Sequence, residues 1–193
     1  MTATVAVTTI LLILPVELPD KTLVATLVLA TRYRPVPVLA GVCSAFGVQC
    51  LIAVTAGQLL TLLPHRLVAA VVAALFAIGT VVLLRGGQEP EQIVAAAGEV
   101  RSPLAMAGAA FGVIFAAEWG DASQLATAAL TARYHDPVGV GVGAFVALVG
   151  VAGLAVVLGQ AVTRRVPLRL VQRAASTVFA AFAVIAVVEI VRG

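Results

Sequence analysis

The sequence predicts an all-α integral membrane protein whose six transmembrane helices form two inverted three-helix repeats. Three observations carry this. Of the 193 residues, 62% are hydrophobic and 11% charged, and the mean hydropathy is +1.12. A soluble domain carries about 25% charged residues, so this chain lacks the polar surface to sit in water. Its apolar residues fall into six blocks, most of them close to or above the ~20 residues a helix needs to cross a bilayer. Finally, one acidic motif recurs about one hundred residues further on.

The blocks are Ala3–Thr31, Val36–Leu63, Leu67–Leu84, Pro103–Ala132, Pro137–Val162 and Leu168–Val191. Most connections between them are short and combine Pro with Arg, as in Arg32-Tyr33-Arg34-Pro35, Pro64-His65-Arg66 and Arg164-Arg165-Val166-Pro167. The one long polar stretch divides the chain into a first repeat (residues 1–85), a connecting loop (86–102) and a second repeat (103–193). The N-terminal apolar run has no basic residues before it and no small-residue cleavage site after it, so it reads as a retained first helix. Cys43 and Cys50, both inside the second block, read as small packing residues, since two cysteines there build neither a disulfide framework nor a thiolate zinc site.

A shift of 101 residues lays Glu17-Leu18-Pro19-Asp20-Lys21-Thr22 over Glu118-Trp119-Gly120-Asp121-Ala122-Ser123, and Ala25-Thr26 over Ala126-Thr127. Leu29 then meets Leu130, and Arg32-Tyr33 meets Arg133-Tyr134; with slight slip Gly57-Gln58 meets Gly159-Gln160, Pro64 meets Pro167 and Phe76 meets Phe179. Three spans per half make the second half enter from the opposite face, with sites expected near the midplane at the repeat interface. Eight arginines (32, 34, 85, 101, 164, 165, 169 and 173) fall in loops or helix ends on one side, against Arg66, Arg133 and Arg192 on the other. The positive-inside rule makes the first side cytoplasmic and puts both termini outside, in a bacterial-type plasma membrane.

Glu17 and Asp20 are three apart, as are Glu118 and Asp121, so each pair shares a helix face. A charge at a helix centre costs roughly 2.5–3.5 kcal/mol on the insertion scale. Four carboxylates therefore need protons, a neighbouring cation such as Lys21, or a bound metal ion. Carboxylate, hydroxyl and amide oxygens suit hard cations such as Ca²⁺, Mn²⁺ and Mg²⁺, and His65 and His135 sit in loops. Thr22, Ser123 and Gln124 follow the acids and can add neutral oxygens, or can serve interhelical hydrogen bonding. Glu189, near the end of the last block, reads as a residue snorkelling to the interface. Pro15 and Pro19 predict a kink or break beside Glu17. Gly120 stands where the first copy has Pro19, which predicts close approach there without a forced break. The spacings Gly108-x-x-x-Gly112 and Gly139-x-Gly141-x-Gly143 read as helix-packing signals. The sequence holds no nucleophile triad, phosphate loop or zinc-hydrolase motif, so neither an enzyme nor a resident cofactor is expected, and nothing in it supports nucleic-acid binding.

At the two acidic motifs the chain resembles the GDT family of membrane proteins, which includes Golgi-type calcium/manganese:proton antiporters and bacterial manganese exporters. The family pattern is Glu-x-Gly-Asp-(Lys/Arg)-(Thr/Ser), present twice in inverted halves. Here Pro19 replaces the first glycine, Ala122 the second basic residue, and Leu23 a frequent Gln. The resemblance implies divalent cation transport coupled to protons, with Glu17, Asp20, Glu118 and Asp121 as metal ligands and Mn²⁺ or Ca²⁺ as transient cargo. Two rival readings stay open from the sequence: an inverted-repeat efflux carrier for an amino acid or organic cation, and a non-transporting membrane scaffold. Oligomeric state has no signal in the sequence.

Overall fold

The structure, a computed structural model, describes residues 2–18, 21–85, 102–158, 177 and 180–188. Pro19, Asp20, the connecting loop, Gly159, Gln160, Arg164, Arg165, Pro167, Phe179 and Glu189 lie outside the described residues, as do the side chains of Lys21 and Leu23. Among the described residues every regular element is an α-helix: α1 (Thr2–Glu17), α2 (Lys21–Arg32), α3 (Pro35–Leu60), α4 (His65–Arg85), α5 (Pro103–Ala117), α6 (Ala122–Tyr134) and α7 (Pro137–Leu158). Residues 180–188 are helical as well.

Helix starts follow local chemistry. Proline opens α3, α5 and α7, where its missing N–H costs nothing. Ser102 caps α5, its hydroxyl accepting from the Ala105 N–H at 3.1 Å. His135 ends α6 in the left-handed conformation (φ 52°), and Asp136 then caps α7 by accepting from the Gly139 N–H at 2.9 Å. Within the helices Thr8, Thr9, Ser44, Thr55 and Thr80 donate to carbonyls four residues back, which keeps their hydroxyls satisfied inside an apolar solvent.

By length and composition Pro35–Leu60 and Pro137–Val157 each suffice to cross a bilayer. Helices α5 and α6 qualify together as a third span, bent by 72° at the break between them, and Thr2–Glu17 and Arg66–Val81 are apolar but shorter. Leu51, Leu62, Leu84, Leu104 and Val157 stand exposed on the outer surface, as lipid-facing residues do. The chain is thus an integral membrane protein by its helices, with two or three crossing helices established among the described residues.

The most extensive helix contacts pair α1 with α7 and α5 with α3; α3 also packs on α6 and α7, and α4 on α6. Glycines set these approaches. A Cβ at Gly41 in α3 would run into the Ala107 carbonyl of α5. One at Gly143 in α7 would stand 2.5 Å from the Ala6 carbonyl oxygen of α1 and 2.8 Å from the Thr9 Cβ. At Gly57 it would run into the Ala128 carbonyl of α6. Gly139 is equally tight, against the Thr2 carbonyl at 2.9 Å. Gly108 and Gly112 correct the sequence reading, since no described residue lies within 4 Å of a Cβ built at either. They face outward from α5, and the close packing falls on the glycines of α3 and α7. One core cluster unites Ile13, Leu29, Val42, Phe46 and Ile114. A second holds Val16, Val72, Phe76, Leu130 and Ala186, and Phe182 stacks on Phe76 with ring centroids 5.1 Å apart.

Candidate metal centre

Two helix breaks meet in the interior. At the first, α1 runs through Pro15 and ends at Glu17, and α2 begins at Lys21. The end of α1 at Glu17 agrees with the break expected beside that residue. At the second, α5 ends at Ala117, and the Glu118 N–H donates to the Ile114 carbonyl at 3.0 Å while Trp119 N–H turns to Ala116. Gly120 adopts φ 72°, and Asp121 precedes the first turn of α6 in extended backbone. The sequence reading is corrected on this point. A true break forms without proline, and Gly120 serves it by conformation, since no described residue lies within 4 Å of a Cβ built there. A left-handed residue is cheap only as glycine. Gln124 also supports the break, its Oε1 accepting from the Gly120 N–H at 2.8 Å.

This geometry brings Glu17, Glu118 and Asp121 together. Carboxylate oxygens of the three lie within 4.8 Å of one another, and all three residues are buried, Glu17 completely. Two unit charges at that distance repel by about 3 kcal/mol at an effective dielectric of 20. The cluster needs protons or a cation to exist in a membrane interior. Helix ends sharpen the field: the N-termini of α2 and α6 and the C-termini of α1 and α5 all abut the acids, as in discontinuous transporter helices. The Thr22 hydroxyl of the first motif donates to Glu118 Oε1 of the second, tying one break to the other. Thr26, one turn on, is fully buried and its hydroxyl has no hydrogen-bond partner among the described residues. Ser123 is buried and lines a small cavity together with Gln49, Cys50, Glu118, Gln124 and Thr127. The oxygen donors fit a hard divalent cation.

Gln49 carries a role that the sequence reading missed. It is buried in α3, and its Nε2 donates to the Phe115 carbonyl at 2.8 Å. Its signal was a mid-span amide, one of two with Gln58, in a largely apolar helix. Beyond the acids, Ser123, Thr127 and Thr131 follow at four-residue intervals on one buried face of α6. Thr131 opens on a cavity of about 420 Å³ also lined by Thr55, Gln58, Thr61 and His135. A cavity of about 580 Å³ is an apolar groove between α3 and α7 that includes no carboxylate.

Broken helices around buried oxygen donors are the geometry by which discontinuous transporter helices hold ions. The family model described as divalent cation/proton antiporter GDT1 matches residues 5–91 and 106–193. A GDT1-like protein of Synechocystis sp. is 33% identical to this chain over 193 aligned positions, covering 91% of this chain and 93% of the relative. No solved structure matches. The chain belongs to the GDT1 family of divalent cation/proton antiporters, a transporter family and not an enzymatic one.

Proposed function

We propose that this protein exports Mn²⁺ or Ca²⁺ in exchange for protons, with Glu17, Asp20, Glu118 and Asp121 alternating between metal-bound and protonated states. The observation that carries this reading is the convergence of three buried acids from both motif copies on one point. An organic-cation carrier would need a roomier cavity than the tight one beside Glu118, and a scaffold has no use for buried acids gathered in one place. The paired contacts support two inverted three-helix halves: Gly41 meets Ala107 and Gly143 meets Ala6, and Gly143 stands 102 residues after Gly41 as Ala107 stands 101 after Ala6. In this arrangement six spans cross the membrane, both termini lie outside, and one half rocks against the other. Ser123, Thr127 and Thr131 line the route between the acids and the His135 end.

Proteoliposomes under an imposed pH gradient, offered Mn²⁺, Ca²⁺ or Mg²⁺ in turn, test the reading. Metal-dependent proton flux is the expected result; proton-coupled flux of organic cations without metal, or no flux at all, would replace it with one of the rival readings. Because metal and protons compete for the same oxygens, binding weakens on acidification and releases protons. Calorimetric titration in buffers of different ionisation enthalpy reads that release directly, and a heat independent of buffer would remove the basis for exchange.

The motif copies differ at Lys21 and Ala122, and Lys21 acts in this reading as a tethered cation that competes with the metal. Lys21→Ala then binds metal at least as tightly as the natural protein at high pH but transports more slowly, because the empty return state has lost its counter-ion. Ala122→Lys weakens metal binding. Unchanged affinity and flux in Lys21→Ala at every pH would leave the lysine as a helix anchor.

A further inference from the structure

The two breaks are held by different means. The sequence has prolines at positions 15 and 19 beside the first, and α1 continues through Pro15 to Glu17. The second has no proline and depends on hydrogen bonds from side chains: Gln124 receives the Gly120 N–H, and Gln49 reaches from α3 to the Phe115 carbonyl. That carbonyl is released by the break, since the Trp119 N–H that would bond it in a continuous helix turns to Ala116. A carbonyl only accepts, so the amide nitrogen of Gln49 must face it. Among the described residues nothing donates to its Oε1. Gln49 is 4% exposed and shares its cavity with Glu118, Ser123 and Thr127.

Charge bears on what this oxygen is for. Three carboxylates already exceed the charge of a divalent cation, yet Ca²⁺ takes 6–8 oxygen ligands. A neutral oxygen completes coordination without adding repulsion. The residue at the matching place in the second half, Gly150 or Val151 after the shift of 101–102 residues, has no amide, so the contribution comes from one half alone.

We propose that Gln49 is a ligand of the cation site, its amide oxygen coordinating the divalent ion beside Glu118 while its amide nitrogen holds the broken end of α5 in place. The inference rests on the reading of the acids as the cation site. The test is calorimetric titration of the purified full chain with MnCl₂ and CaCl₂, comparing the natural protein with Gln49→Leu, Gln49→Glu and Glu118→Gln, with thermal unfolding of each metal-free protein alongside. Above neutral pH both Gln49 variants lose the bond to Phe115 and are destabilised without metal, Glu further by its charge beside Glu118, but only Glu keeps an oxygen for the ion. Gln49→Leu is expected to weaken Mn²⁺ and Ca²⁺ binding about 10–100-fold, the usual cost of disturbing a metal site's supporting contacts, while Gln49→Glu binds at least as tightly as the natural protein. Equal losses of affinity in both variants would make Gln49 a prop for Phe115 and overturn its role as ligand. Unchanged affinity in Gln49→Leu, with Glu118→Gln inactive, would overturn this proposal and leave the acids as the site. Full affinity in Glu118→Gln would bring down the reading of the acids and this proposal with it.

Discussion

Neutralising any one of the converging acids abolishes divalent cation transport: Glu17→Gln, Glu118→Gln and Asp121→Asn each lower Mn²⁺ affinity by roughly 100-fold or more, while the purified metal-free protein becomes more stable to heat at pH 8. The two changes have opposite signs for one reason. With metal bound, each carboxylate is a charged partner of a buried cation, and removing one partner of a buried pair costs about 3–5 kcal/mol, equivalent to a factor of 100 or more in a dissociation constant. Without metal, the same carboxylate adds negative charge to neighbours within 4.8 Å, so its amide lowers that repulsion at almost constant volume. Glu118→Gln isolates the effect, because the amide oxygen can still accept from Thr22. Calorimetric titration and thermal unfolding of the same samples provide the check. Acids that only hold the fold together would give variants with lower stability and unaltered metal affinity, which would end their assignment as ligands.

The sequence made the acids legible because their cost in a membrane is so high that a doubled Glu-x-x-Asp pair demands a purpose. It also made the first break legible, through the stereochemistry of Pro15 and Pro19. The second break was not legible. Gly120 looks the same in a sequence whether it supplies close approach or a left-handed turn, and only the backbone separates φ 72° from a packed contact. Gln49 was hidden for a related reason: an isolated amide in an apolar run has no periodicity, and its partner is a main-chain carbonyl 66 residues away. Gln124 stood beside the motif as a donor of oxygen or of hydrogen bonds, and only the backbone shows that its oxygen accepts from the turn. Small-residue spacing predicted glycine contacts but not which ones, since α5 turns Gly108 and Gly112 away from its neighbours. The helical class and its membrane character were readable from composition alone, because no soluble packing can bury so much apolar surface in 193 residues.

Gly41→Ala and Gly143→Ala each lower the thermal stability of the detergent-solubilised protein, whereas Gly108→Ala and Gly112→Ala leave it unchanged or raise it. A methyl group at Gly41 meets the main-chain carbonyl of Ala107, and one at Gly143 meets that of Ala6. Main chain in a packed helix cannot rotate aside as a side chain can, so α3 must part from α5, or α7 from α1. Overpacking costs about 1–3 kcal/mol, and for a chain of this length about 2–4 °C of midpoint per kcal/mol. The same contacts supply much of the helix association, which in a bilayer depends on close backbone approach and not on water. Gly108 and Gly112 have open space around a built Cβ, so alanine there brings only its better helix propensity, worth up to about 1 kcal/mol. The comparison of Gly41 with Gly143 also tests the two-half architecture. Contacts related by an internal repeat should fail by similar amounts, and the double variant should lose the sum, because the two interfaces lie at different places. If Gly41→Ala destabilised strongly while Gly143→Ala did nothing, the contact between α1 and α7 would not be the counterpart of that between α5 and α3, and the symmetry assigned to the two halves would have to be withdrawn.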